Sequence, residues 1–245
     1  MRTARVVTSL VLTAHGSKDP RSAANARAVA DRVALVRPGL DVRLAFCELN
    51  APSLGQVLHG LPAARRAVVT PLLLANAYHA RVDIPHQIGA CGATERVRQA
   101  SVLGEDERLV SVLRQRVAEL GASRLDDTLG VLVVAIGSSD ATANARTREV
   151  APRLLEGTPW VAATTAFATR PRSSLAESVD VLRSRGARRV VVAPWFLAPG
   201  LLPDRVRRFA EAAGLEMAAP LGAHRLVAET VLSRFDQAAA ERIAA

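Results

Sequence analysis

Three side chains able to hold a metal ion or move a proton, His15, Glu48 and His79, each follow an apolar run directly or after a short loop. His15 comes straight after the run 6–14. Glu48 lies at the end of the run that begins at Val42, and His79 follows the run that begins at Ala67, within the stretch 71–85. Two neutral imidazoles and one carboxylate make a reasonable seat for a divalent first-row metal, and the same groups accept protons near neutral pH. A lone histidine in such a place is more often a loop hydrogen-bonder than a ligand. Three ionisable groups on one edge shift that balance, provided the chain brings the three run ends together.

The elements that would do so alternate along the sequence: strands over 6–14, 42–49, 67–74 and 97–102, and helices over 20–36, 53–61, 84–90 and 105–120. Asp19 followed by Pro20 is a good helix start, and Gly39 and Gly121 close helices. Such alternation predicts parallel sheets with right-handed crossovers, in which ligands collect at the carboxyl ends of the strands. The whole pattern then recurs. Val131–Asp140 copies Leu10–Asp19 at a shift of 121 residues, Ala166-Phe167 copies Ala45-Phe46, and 188–194 copies 65–71 at a shift of 123. Anchors kept in one order imply duplication of a unit of about 120 residues. The expected fold is therefore α/β, two tandem doubly wound domains with parallel sheets at 1–125 and 126–245, joined near Ser123–Thr128. The three polar residues do not recur: Ile136 stands where the first copy has His15, Thr169 where it has Glu48, and Leu202 where it has His79. A residue kept only for the fold should tend to appear in both copies, so one working site is expected, in the first domain, with a degenerate second copy.

Composition narrows the function. With 49% hydrophobic and 22% charged residues the chain reads as an ordinary globular protein, neither disordered nor a disulfide scaffold. Aromatic residues at 3% leave little for base stacking, and the basic residues are dispersed rather than striped, so no nucleic-acid partner is expected. The net charge of +9 favours an anionic small ligand. Cys47 and Cys91 are too few for a zinc cluster and read as reduced residues. Met1–Arg5 ahead of the run 6–14 imitates a signal peptide, but the same run returns in mid-chain and so reads as a first strand; a cytoplasmic protein with no membrane partner is expected.

The His15-Gly16-Ser17 strand end, the Phe46-Cys47-Glu48 strand end, and the stretch Leu74–Pro85 with Tyr78-His79 and Asp83-Ile84-Pro85 resemble the class II chelatases, in the branch of the sirohydrochlorin cobaltochelatases and ferrochelatases. The similarity covers both halves, and the combined pattern is fairly specific where His-Gly-Ser alone is not. Ala77 departs from it, since many relatives have glycine there. The resemblance implies a two-lobed fold with a cleft between the lobes, where a divalent metal enters a tetrapyrrole without ATP, on the way to sirohaem or cobalamin. It carries metal binding onto His15 and His79, and the acidic active-site role onto Glu48. The metal, Fe²⁺, Co²⁺ or Ni²⁺, is then a substrate, no cofactor is required, the tetrapyrrole is the partner, and the duplicated chain is expected to act as a monomer. Gly16, Ser17, Asn76 and Tyr78 are secondary, substrate-binding candidates. The helix start after Gly16 offers backbone N–H groups to the carboxylates of sirohydrochlorin.

Two other functions compete. A metal or tetrapyrrole carrier would use the same histidines without turnover. A histidine-type phosphatase also places His-Gly at a first strand end, but it wants an adjacent arginine, where this chain has Ala14. His59 and His224 are expected at surface or capping positions, His86 stands near the site without a clear assignment to it, and Trp160, Trp195 and Phe196 are expected to pack.

Overall fold

A computed structural model describes residues 8–92, 94–123, 125–170 and 173–241; the expected strand start at 6–7 lies outside them. Strands β1 (Thr8–Ala14), β2 (Val42–Phe46), β3 (Arg66–Pro71) and β4 (Val97–Gln99) form a parallel sheet in the order β2-β1-β3-β4. Strands β5 (Leu129–Ala135), β6 (Ala162–Phe167), β7 (Arg189–Trp195) and β8 (Glu216–Met217) repeat it as β6-β5-β7-β8. The molecule is thus α/β with two four-stranded parallel sheets from a duplicated plan. The central strands β1 and β5 are buried almost throughout, which is why they read as continuous apolar runs instead of alternating ones.

Parallel pairing sends the three chemistry-bearing segments out at one edge. Thr13 is in register with Ala45 on one side and Pro71 on the other. Hydrogen bonds continue past the strand ends: Cys47 N–H donates to the Ala14 carbonyl at 2.9 Å, Glu48 N–H to that of His15 at 3.1 Å, and Leu72 N–H to that of Thr13 at 2.8 Å. The second strand stops short of the expected residue 49 because the chain turns there, with Leu49 at a φ of 61°.

Helix α1 (Pro20–Val36) starts where the sequence places it, with the Asp19 side chain accepting the Arg21 N–H at 3.0 Å. Helix α2 (Leu54–His59) begins in a capping box of Ser53 and Gln56. A π-helical turn, His79–Asp83, leads into α3 (Ile84–Ala90). The chain continues through α4 (Glu107–Ala118), α5 (Ala141–Arg148), α6 (Val150–Leu155), α7 (Ser173–Ser184), α8 (Leu201–Ala212) and α9 (Arg225–Ala240).

By packing, the elements group into two compact units that exchange the closing helices of the two sequence copies. One comprises the residues up to Gly104 together with those from Ala223 on, and the other is Glu105–Gly222. The reason is where the two closing helices pack. Helix α4, from the first copy, lies against β7 and α6, where Arg114 donates to the carbonyls of Leu154 at 3.2 Å and Arg153 at 2.5 Å. Helix α9, from the second copy, lies against α1, β3 and β4. There Arg37 makes a two-pronged ion pair with Asp236 at 2.6 and 2.7 Å, and Arg234 donates to the carbonyls of Val102 and Leu103. The expected linker is likewise tied into the second unit, since the Trp160 indole donates to the Ser123 carbonyl at 2.9 Å and Arg188 N–H to that of Thr128. Trp160, Trp195 and Phe196 are buried, as expected of packing residues.

Candidate active site

The turn after β1 is built around Gly16. Its φ is +100°, and a Cβ there would overlap the carbonyl oxygen of Glu48 and come within 2.9 Å of the carbonyl carbon, so only glycine lets the two loops pass this closely. Ser17 N–H then donates to Asn50 Oδ1 at 2.7 Å, and Ser17 Oγ accepts from Asp19 N–H at 3.0 Å. The second copy builds the same turn: Gly137 has a φ of +91°, Ser138 N–H donates to Asn144 Oδ1 and Ser138 Oγ accepts from Asp140 N–H. Gly16 and Ser17 thus recur as parts of the turn, with the amide acceptor supplied by the loop after β2 in one copy and by α5 in the other. The α1 N-terminus carries its own anionic cap. Pro20 brings no N–H and the buried carboxylate of Asp19 already accepts at that end.

What the turn positions is His15. Its ring lies 4.0 Å, centroid to centroid, from that of His79, tilted by 35°. Its Nε2 is 3.5 Å from Glu48 Oε1, and its Nδ1 is buried without a hydrogen-bond partner. Burial pushes the His15 imidazole below its ordinary value, and a charge on neighbouring His79 would add to this; Glu48 and Asp83 pull the other way more weakly. The result is an imidazole held neutral at physiological pH. The three side chains are open to solvent, at 41% for His15, 54% for Glu48 and 39% for His79.

His79 is the first residue of the π-helical turn and Asp83 the last, and Ile84 N–H closes the turn on the His79 carbonyl. The segment is pinned from both sides: Gln99 Nε2 donates to the Ala80 carbonyl at 2.6 Å, and Gln87 Nε2 donates to the Cys47 carbonyl at 3.1 Å. Tyr78 stands edge-on to the His79 ring, with centroids 6.1 Å apart, and is exposed, as is Asn76. Burial raises the Cys47 thiol to about 11, so it stays protonated beside the site and joins the core cluster of the first unit. His86 is exposed on α3. His59 Nδ1 donates to the Gly55 carbonyl on α2, and His224 caps α9 by accepting the Leu226 N–H, so both lie in the surface and capping roles expected of them.

The structure therefore brings His15, Glu48 and His79 together. Asn50 and the two glutamines escaped the sequence reading, since nothing in their spacing marks a loop-holding amide. Among the described residues no group of three or more His, Cys, Asp or Glu side chains forms a ready-made metal cage, and none of the helices is long and apolar enough to cross a membrane. The two imidazoles are an incomplete ligand set, and an ion placed on them would need donors from elsewhere.

A duplicated α/β chain with two four-stranded parallel sheets has the fold of the class II chelatases. The family model CbiX matches residues 9–120 and again 130–238, and the chain belongs to this family of sirohydrochlorin chelatases. Among curated relatives, a sirohydrochlorin ferrochelatase of Priestia megaterium is 29% identical over 209 residues, covering 81% of this chain and 76% of that one. A sirohydrochlorin cobaltochelatase of the same organism is 28% identical over 212 residues, covering 81% and 67%. Among solved structures, SirB from Bacillus subtilis with Fe³⁺ superposes with a TM-score of 0.79 at 21% identity over 97% of both chains. The sirohydrochlorin chelatase SirB from Bacillus subtilis subspecies spizizenii, in complex with cobalt, gives 0.76 at 21% over 95% of both.

Proposed function

We propose that this protein inserts a divalent metal, Fe²⁺ or Co²⁺, into sirohydrochlorin without ATP, in the formation of sirohaem or cobalamin, and that His15, Glu48 and His79 form the reacting centre. The observation that carries the reading is the facing pair of imidazoles with Glu48 beside them, all three absent from the second copy of the same fold. Insertion places one divalent ion in the macrocycle and releases two pyrrole protons. The site must present the metal and remove those protons. His15, held neutral by burial, and His79 offer lone pairs to the ion; as the ion passes into the macrocycle one freed imidazole takes up one pyrrole proton and Glu48, next to His15, accepts the other, and both are then passed to solvent. Exposed Tyr78 and Asn76 flank His79 and would meet the macrocycle first, while Gly16 and Ser17 present turn backbone beside it. The partner is the tetrapyrrole alone, with the chain acting as a cytoplasmic monomer.

The test is an anaerobic assay of purified protein with sirohydrochlorin and Fe²⁺, Co²⁺ or Ni²⁺ in parallel, following the change in the tetrapyrrole spectrum. Acceleration over the metal and tetrapyrrole alone, with many turnovers per protein, supports the chelatase. Stoichiometric binding without acceleration would make it a carrier.

A further inference from the structure

The two imidazoles differ in what lies behind them. His15 Nδ1 is buried and has no partner, whereas His79 Nδ1 lies 2.5 Å from Asp83 Oδ2. A carboxylate only accepts hydrogen bonds, so the neutral His79 ring must carry its proton on Nδ1 and keep its lone pair on Nε2. A carboxylate behind a metal-facing histidine sets the tautomer, fixes the ring and raises its basicity.

The backbone gives a second, independent observation. His79 and Asp83 begin and end a single π-helical turn, a rare widening that tends to occur at functional sites. At the shift of 123 the second copy has Leu202 for His79 and Val206 for Asp83, and there the chain runs as the ordinary α-helix α8. Histidine, carboxylate and widened turn are therefore present together in one copy and absent together from the other. Asp83 is only 29% exposed, and the Ala80 carbonyl inside the turn is held by Gln99, so the ring and its acceptor sit on a fixed support.

We propose that Asp83 is a positioning residue that acts through His79: it accepts the Nδ1 proton, fixes the ring, and leaves Nε2 as the lone pair offered to a divalent metal. His15 has no carboxylate behind its Nδ1. The inference rests on the reading of His79 as metal-facing, and its test is arranged so that the two can fail separately.

The first measurement needs no metal and no substrate. In ¹⁵N-histidine-labelled protein at a pH where the rings are neutral, long-range proton–nitrogen spectra report which nitrogen of His79 is protonated. The Nδ1–H form is expected in the wild type and in Asp83→Asn, whose amide oxygen keeps an acceptor of the same shape; Asp83→Leu should lose that preference. A wild-type proton on Nε2, or an unchanged tautomer in Asp83→Leu, overturns the proposal. The second measurement is Co²⁺ affinity from the visible spectrum of the bound ion. Asp83→Leu should weaken it roughly tenfold to a hundredfold, with Asp83→Asn within about threefold of wild type. In a His79→Ala background the same Asp83→Leu change should cost less than about twofold, because there is no ring left to orient. Equal losses in the leucine and asparagine variants, or a full loss in the His79→Ala background, would show that Asp83 does not act through His79. If the wild type fails to insert metal into sirohydrochlorin while the tautomer follows Asp83, the proposed function falls and the positioning role stands.

Discussion

Replacing Gly16 by alanine tests the link between the loop geometry and the chemistry, and the second copy supplies a matched control in Gly137→Ala. Both glycines have strongly positive φ, +100° and +91°, so both substitutions incur a backbone strain of about 1–3 kcal/mol. For a chain of this size 1 kcal/mol moves the melting midpoint about 2–4 °C, which gives a fall of roughly 2–12 °C from strain alone. The neighbours of the new methyl differ. At 137 it meets the Thr169 hydroxyl at 2.5 Å, the end of a side chain that can rotate, and the Phe167 Cβ at 3.0 Å. At 16 it overlaps the Glu48 carbonyl, which is backbone. Restoring a carbon–oxygen contact of about 3.3 Å there requires the two loops to part by more than about 1 Å. A misplacement of that size in a reacting geometry costs on the order of a hundredfold in rate. Gly16→Ala should therefore melt at least as low as Gly137→Ala and insert metal about a hundredfold more slowly, whereas Gly137→Ala should stay within about threefold of wild type. Thermal melts and the anaerobic sirohydrochlorin assay, on the same preparations, decide it. A folded Gly16→Ala protein with a wild-type rate would falsify the view that the approach of these two loops sets the catalytic geometry.

Other outcomes follow from the same site. His15→Ala and His79→Ala should each lower the insertion rate by about 10²–10⁴, while His59→Ala, whose ring is tied to α2, should leave it within twofold. Proton NMR should place the His15 midpoint below the ordinary value of about 6.5. It should rise in His79→Ala, which removes a repelling neighbour and some burial, and fall further in Glu48→Gln, which removes an attracting charge; the opposite order would reverse the electrostatic reading. Because the folded state disfavours the His15 cation, its contribution to stability is complete above about pH 6.5 and is lost as the pH falls through the depressed folded midpoint, a trend that urea titrations across pH can follow. The insertion rate with Co²⁺ should drop on acidification, with a log slope near two if both imidazoles must be neutral and near one if only one must; a flat profile from pH 5 to 8 would exclude both. Truncation after Gly222 removes none of the three site residues but takes away buried Val227, Val231 and Phe235, so the shortened protein should lose cooperative unfolding of the first unit and insertion activity with it, as calorimetry and the assay would show.

The parallel sheets were readable because β1, β3, β5 and β7 are buried on both faces, and such strands can only be long apolar runs. The strand-end placement of His15 and Glu48 came with them, since a parallel register leaves one place for the residues that follow. The widened turn that carries His79 and Asp83 was not readable. Four residues of separation suggest an ordinary helical spacing, and nothing in the residues 79–83 announces a hydrogen-bond pattern one residue wider. Ser17 has a local role that its type did not announce: its N–H is held by Asn50 and its hydroxyl accepts from Asp19 N–H. The packing of α4 and α9 was hidden for a more general reason. An amphipathic pattern states which face of a helix is buried but not which sheet receives it, and the simplest assignment gave each helix to the strands before it.

That packing has a consequence for how the protein is made. Domains usually complete themselves on the ribosome in the order in which they emerge, at about 5–20 residues per second. Here the unit with His15, Glu48 and His79 begins before the second and finishes after it, because α9 follows the second unit in the chain. The second unit, contiguous from Glu105 to Gly222, can close while the first, interrupted at Gly104, waits on the order of ten seconds for α9 to emerge. For that interval the nascent chain carries β3 and β4 without the cover of α9, which makes the half with the candidate site the one most dependent on chaperones.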